Sequence, residues 1–555
     1  MPENTASVTI GQRSRGGTYF NGVIDEVAIY NRALPQAEVQ GVMEEGSVAP
    51  SKNVYHVDAD ATGNNDGSSW VDAYWYLQDA LADANDAQKP VDIRVAQGTY
   101  TPDCGNGYVR GDKQAKFLLK SGVTIKGGFA GVGADDPNAW DHQAYETVLS
   151  GDLSGNDERL LANFVENSDH VIWCIEGDAS AVLDGFTITG GYATDRIGGG
   201  LLNYKANPTV KRCVFFDNYA SQGGGMANRY SSPTVTDCTF DGNLAPYGGG
   251  GMYNTDQSHP MVDSCVFHDN WTTYLGGGGM YCGDSNPTVI HCLFVDNVAP
   301  FGGGMYNAAA NPFIGNCTFS NNRSNSWGGG MQNEAGSVPT VTNCILWGDI
   351  PDEIAFSGSA TVTYSDVEGG WAGIGNIARD PKFADPEGRL SSGSPCIDAG
   401  NNDAVRSGIT TDLDGNPRII NGTVDMGAYE FGGTTPSPPP GPSADSLAEA
   451  LDTALSFAMG GSADWFAQTT MTRYDGDAAQ SGDISRRQDS WMQTTVSGTG
   501  TIKFYWKVSS EEDFDFLEFY IDSSLQEKIR VWRSTGNSRP TPSALRVHTH
   551  WNGDT

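Results

Sequence analysis

One phrase recurs through the middle of the chain: GGGMAN at 223–228, GGGMYN at 249–254, GGGMYC at 277–282, GGGMYN at 302–307 and GGGMQN at 328–333. Aligned on the residue after the glycines, Leu201, Met226, Met252, Met280, Met305 and Met331 follow one another at spacings of 25, 26, 28, 25 and 26. Cys213, Cys238, Cys265, Cys292, Cys317 and Cys344 keep the same phase. So do Phe215, Phe240, Phe267, Phe294 and Phe319, and then Asn218, Asn243, Asn270, Asn297 and Asn322. A period near 26 with several columns in phase restricts the chain to a solenoid, whose units bury their apolar faces against each other. Each unit holds short alternating runs such as MYN and CVF, broken by Gly, Asn-Pro or Asp-Asn turns, with no helical period. The expected fold class is all-β: a right-handed parallel β-helix of about 26 residues per coil, like residues stacked ~4.8 Å apart.

In such a coil the glycines belong at corners, where positive φ or close backbone contact excludes a side chain. Met, Cys and Phe are expected inside as ladders, and the Asn column can hydrogen-bond from corner to corner. The cysteine column reads as core. Adjacent coils bring the Cα atoms near enough for a bridge, but parallel Cβ vectors oppose one, so free buried thiols are expected.

The chain has 555 residues, 33 basic and 68 acidic, and a net charge of −35. That balance argues against nucleic acid and anionic membranes, and against polyanionic polysaccharides not bridged by Ca²⁺. No apolar run of ~18 residues occurs, so no membrane insertion is expected. The opening MPENTASVTIGQ lacks the basic and apolar regions of a signal peptide.

Residues 1–47, with VTIGQRSRGGTYFNGVIDEVAIYNRALPQAEV, resemble the last strands of a laminin-G/concanavalin-like sandwich. So short a tail cannot build a two-sheet core, which implies a larger domain, and any signal peptide, upstream. Residues 53–431 resemble the right-handed parallel β-helix proteins of the pectate-lyase-like superfamily, in particular secreted proteins with polymorphic outer-membrane-protein-type repeats. YHVDADATGNNDGSSWVDAYWYLQDALADA looks like their first strand and capping helix, and DLDGNPRIINGTVDMGAYEF like their closing segment. The superfamily holds lyases, hydrolases, epimerases and adhesins, so the resemblance implies fold more than function. Residues 432–445 form a Pro-rich linker. Residues 446–555 resemble a β-sandwich accessory module whose alternation stops in about the last 25 residues; a shifted reading frame from Gly536 restores it. This predicts a truncated or library-derived clone, which the DNA sequence decides.

Strand alternation places the residue after each repeat phenylalanine on the outside: Phe216, Asp241, His268, Val295 and Ser320. The residue before each cysteine gives Arg212, Asp237, Ser264, His291 and Asn316. Asp241 and His268 should be neighbours, with Asp237, His291 and Arg212 within a few coils. A carboxylate beside an imidazole is a workable acid/base pair, and a solvated outer face explains the same residues. Asp217, Asp269 and Asp296 share a column before the turn Asn, where local backbone capping is the favoured role. Tyr253, Tyr281 and Tyr306 make an outward strip suited to sugar rings, and cross-coil stacking accounts for them nearly as well. Tyr247, Tyr274, Phe301 and Trp327 either widen that strip or pack under a corner. Asp58, Asp60 and Asp66 have the oxygen-rich spacing of a Ca²⁺ loop without the EF-hand pattern, so turn stabilisation competes with metal binding.

These readings converge on a secreted or cell-surface, monomeric, carbohydrate-active β-helix. It is expected to bind a polysaccharide through Tyr253, Tyr281, Tyr306 and Arg212, and to cleave it with Asp237, Asp241, His268 and His291. A glycoside hydrolase is favoured over a polysaccharide lyase because cations are scarce on the repeats. No cofactor is required, and Ca²⁺ is the only metal suggested. The rival is a non-catalytic adhesin or surface scaffold.

Overall fold

The computed structural model describes residues 53–432, apart from 158–162, 357–359, 386 and 407, and eight strands between 458 and 551. The laminin-G-like stretch 1–47 and nearly all of the 432–445 linker lie outside the described residues. The eight later strands pair antiparallel, Ala458–Gly461 with Ser490–Gln493 and Gly500–Lys507 with Ala544–Trp551 among them.

Three parallel sheets wind around one core. The methionine sheet has nine strands, from Phe117–Leu119 to Ile354–Phe356. The valine sheet has eleven, from Asn53–Val57 to Thr361–Thr363, with Val210, Val235, Val262 and Val289 inward. The phenylalanine sheet has ten, from Gly98–Tyr100 to Asp366–Val367. Register follows the repeat: Met226 pairs with Met252, Val235 with Val262, and Phe240 with Phe267. The helix Leu77–Asp86 closes the N-terminal end, burying Leu77, Ala80, Leu81 and Ala84.

The columns stack as their periodicity requires. Phe215, Phe240, Phe267, Phe294 and Phe319 have successive ring separations of 4.8, 4.8, 4.6 and 4.5 Å. Each is fully buried, which stabilises the coil by about 1.5–3 kcal/mol per ring. The six repeat cysteines are buried and unbridged. Asn270 shows how the asparagine corner works. Its Nδ2 donates to Phe240 O at 2.8 Å and Asn297 Oδ1 at 3.0 Å, while its Oδ1 accepts from the backbone and side-chain nitrogens of Asn243. The ladder ends in Asp349, whose Oδ1 accepts both nitrogens of Asn322. Gly251 shows why the third glycine is invariant between repeats: a Cβ there would lie 2.7 Å from Gly279 O.

Two further corners are built from left-handed residues. Arg212, Asp237, Ser264, His291 and Asn316, with φ of 50–53°, turn the chain from the valine sheet into the phenylalanine sheet. Asp217, Asp269 and Asp296, with φ of 49–55°, turn it out again. At the C-terminal coils a closing segment lies on the outer face of the phenylalanine sheet, where Ala428 N donates to Thr318 Oγ1 and Met426 packs with Ile345. Leu293, Val295, Thr318 and Ser320 are therefore buried although they point outward from the coil. The open part of this face runs from Val214 to His268.

Candidate active site and glycan groove

Asp241 and His268 are register partners on adjacent strands, Thr239–Asp241 and Val266–His268. His268 Nδ1 lies 2.8 Å from Asp241 Oδ1, and its Nε2 lies 3.9 Å from Asp296 Oδ2 on the next coil. Burial opposes a charge on the ring. The hydrogen bond and field of Asp241, with the fields of Asp269 and Asp296, outweigh it and raise His268 to about 9. At neutral pH the ring is an imidazolium clamped between carboxylates. Its Nε2 side faces Asp296 Oδ2 at 3.9 Å, beyond direct hydrogen-bond distance.

Asp237, His291 and Arg212 do not join this group. Their left-handed corner stands at the opposite end of the strand, four residues from Asp241, roughly 13 Å in extended chain. Arg212 makes a bidentate pair with Asp184 at 2.9 and 2.7 Å, and its guanidinium lies 5.2 Å from the Trp140 ring centre. Lys126 Nζ covers the same indole at 3.6 Å, and Lys211 Nζ reaches Asp184 at 3.4 Å. Asp237 has a carboxyl raised by burial and by the field of Asp263, against the pull of Arg212. His291 is buried, with Nδ1 3.1 Å from Asp263 Oδ1. The four residues read from sequence as one acid/base set thus divide into two separate clusters.

The tyrosine strip stacks but is covered. Ring centres lie 4.8 Å apart for Tyr253–Tyr281 and 5.4 Å for Tyr281–Tyr306. Tyr253 and Tyr306 are buried. Tyr306 donates to Glu334, and its ring lies so close over Gly276 that a Cβ there would come within 2.3 Å of it. The glycine-rich corner folds over the strip, leaving only Tyr281 partly open.

The open aromatic surface lies one corner away. Tyr192 and Tyr219 lie with ring centres 5.0 Å apart and planes tilted by 36°, and Tyr247 and Tyr274 5.5 Å apart and tilted by 34°. Tyr219, Tyr247 and Tyr274 line a groove of about 590 Å³ with Asp195, Ser221 and Leu244. Tyr247 is 51% and Tyr274 65% exposed. Leu244 follows Asp241 by three residues, so the groove wall and the Asp241–His268 pair belong to one turn of chain. Sequence reading named Tyr247 and Tyr274 but missed Tyr192 and Tyr219. The available signal was their shared position directly after or one coil before the Asn column.

Asp58 and Asp66 serve turns, and Asp60 enters through its backbone. Asp58 is buried and accepts the backbone N–H of Asp60 at 2.9 Å and of Val132 at 2.6 Å, while Asp66 accepts that of Ser68 at 3.0 Å. These acids do not converge. Among the described residues the carboxylates that do are Asp152, Asp157 and Glu166, which lie outside the repeats and were not anticipated.

Three parallel sheets, stacked inward columns and an entirely parallel register define a right-handed parallel β-helix. Residues 154–311 match the family model described as right-handed β-helix region, and residues 1–40 match the concanavalin A-like lectin/glucanases superfamily. Among solved structures the chain is similar to the pectin methylesterase from Aspergillus niger, at 13% identity and a TM-score of 0.29, covering 65% of this chain and 95% of that one. It is also similar to a rhamnogalacturonan lyase, at 12% identity and a TM-score of 0.30, covering 63% and 97%. Escherichia coli YbhC matches at 11% identity and 0.27, covering 58% and 77%. At these values none of the three assigns chemistry to this chain. No curated protein matches it.

Proposed function

We propose that this protein binds a polysaccharide in the tyrosine groove and hydrolyses it at the adjoining Asp241–His268–Asp296 group. The groove carries the reading. Exposed tyrosine faces on successive coils fit successive sugar rings, and Ser221, Thr194 and Asp195 offer partners for sugar hydroxyls. The neighbouring acids Asp217, Asp241, Asp269 and Asp296 favour a neutral glycan over a polyanion. For hydrolysis, the His268 imidazolium gives its Nε2 proton to the glycosidic oxygen as the C–O bond breaks. A water deprotonated by an acid farther from that ring, with Asp269 the candidate, supplies hydroxide to the anomeric carbon. A lyase would instead need a free cation to stabilise a carbanion. On the repeats Arg212 is paired with Asp184 and Arg229 with Asp256, each at 2.7 Å, so neither is free for that role. A polysaccharide met outside the cell suits a protein that is secreted or held on the cell surface.

One observation favours a second reading, binding without cleavage: His268 already commits Nδ1 to Asp241, so the triad is also a complete structural ion cluster. A panel of neutral and acidic polysaccharides separates the cases. New reducing ends support hydrolysis, retention without products supports the scaffold, and absorbance at ~235 nm supports a lyase. Given hydrolysis, Asp241→Asn and His268→Ala should each lower turnover by on the order of 100-fold, and Tyr274→Ala should mainly weaken binding. Absence of retention on every glycan refutes the groove reading.

A further inference from the structure

We propose that Asp152, Asp157, Glu166 and Asn167 form a calcium site, joining the exit of the strand Thr147–Ser150 to the 3-10 turn Phe164–Glu166. One oxygen from each of the three acids lies within 4.8 Å of the others. Such crowding alone would be unremarkable in so acidic a chain. What distinguishes it is the state of the buried oxygens. Asp157 Oδ1 and Glu166 Oε1 are shielded from solvent and have no hydrogen-bond partner.

Asn167 is the independent sign. It is fully buried, and its Nδ2 donates to Asp157 Oδ2 at 2.7 Å and to Gly190 O at 2.8 Å. Flipping the amide would set its oxygen against two acceptors, so the assignment is fixed by chemistry. The remaining Oδ1 has no partner. Amide geometry holds that oxygen within roughly 5 Å of the Asp157 carboxylate. A buried, unpartnered carboxamide oxygen and two bare carboxylate oxygens beside it, all withdrawn from water, are what a cation's coordination shell requires.

The local chain presents the acids in one direction. Asp152 Oδ1 accepts the N–H groups of Ser154, Gly155 and Asn156 at 3.2, 2.7 and 3.2 Å, and its Oδ2 that of Asp157 at 3.0 Å. Gly190 keeps the opposite wall bare, since a Cβ there would stand 2.9 Å from Asp152 N. The donors are all oxygen, with neither imidazole nor thiolate, which selects a hard cation. A carboxylate-rich shell assembled from two irregular turns suits the adaptable geometry of Ca²⁺ better than the strict octahedron of Mg²⁺. The site borders the aromatic surface, where Phe164 meets Tyr192 at 5.9 Å between ring centres, but the assignment does not depend on the glycan chemistry.

Calorimetric titration of CaCl₂ into the EDTA-treated, dialysed full chain tests this. The wild type should show saturable binding, and Asp157→Asn/Glu166→Gln should weaken it about tenfold or more, since ligand charge sets affinity. Asn167→Ala, which changes no charge, should weaken it as well. Asp135→Asn/Asp136→Asn, a charge-matched change at exposed acids, should leave it intact. Melting supplies a second readout. In EDTA the Asp157→Asn/Glu166→Gln protein should melt at or above wild type, because repulsion is relieved, and in Ca²⁺ the order should reverse. Undiminished binding in that variant, no saturable binding in wild type, or loss only in Asp60→Asn/Asp66→Asn would each overturn the assignment.

Discussion

Replacing His268 by glutamine removes the basic group from between Asp241 and Asp296 while keeping a hydrogen-bonding side chain of similar reach. In the folded protein His268 is raised from 6.5 to about 9. Taken at face value that difference corresponds to about 3.4 kcal/mol of stabilisation of the charged form. The side chain is 43% exposed, so solvent screening reduces the usable part to about 1 kcal/mol. The folded pKa is raised, so this stabilisation is fully present below 6.5 and is lost as pH rises through about 9. Wild type should therefore exceed His268→Gln by about 1 kcal/mol at pH 6, and the two should converge near pH 10.

Burial also raises the carboxyls of Asp349, Glu353 and Glu430. They titrate in both proteins, so only the difference between the two stability curves reports on His268. Thermal melts across this range give that difference, and the imidazole NMR resonance gives the pKa directly. A resonance titrating at or below 6.5, or a pH-independent gap between the proteins, refutes the clamped imidazolium. With it goes the general-acid role. If the geometry holds, hydrolysis should decline as pH passes about 9, when the acid loses its proton.

The two tyrosine columns should separate cleanly. Tyr306→Ala opens a buried site and should cost about 3 kcal/mol of stability with little change in glycan affinity. Tyr274→Ala should change stability by less than about 0.5 kcal/mol and weaken glycan retention, so equal effects on either measure would refute the division. At the end of the asparagine ladder, Asp349→Asn restores the residue that Asn218, Asn243, Asn270, Asn297 and Asn322 provide on earlier coils, and removes a buried acid beside Glu353. It should raise the melting temperature at pH 8 and lose that advantage at low pH, where Asp349 is protonated; a lower melting temperature at pH 8 would show that the carboxyl has a role asparagine cannot fill.

The coil was legible because its columns are forced by inward packing: a phenylalanine that must stack at 4.8 Å on the last one leaves its period in the sequence. The same alternation correctly placed Asp241 beside His268, since each sits inside a regular strand directly after a ladder phenylalanine. It failed for Asp237 and His291. Their φ near 50° makes them corner residues, and a left-handed residue redirects the side chain that strand counting assigns to one face. It also failed to rank the aromatic columns. Whether an outward residue meets solvent depends on what lies over the coil, and neither the glycine corner above Tyr306 nor the closing segment over Ser320 belongs to the strand pattern. The Asp152, Asp157 and Glu166 cluster was hidden for a third reason: it lies in a turn with no counterpart on other coils, so no column marks it. What the strand pattern does not reveal thus lies where the repeat is interrupted or covered, and His268 marks the boundary. It occupies the last coil on which the phenylalanine sheet is still open, one register step before Val295 is buried. A side chain placed there has the groove residue Leu244 on the neighbouring coil and an access that an identical Asp–His pair under the closing segment could not offer to a polymer.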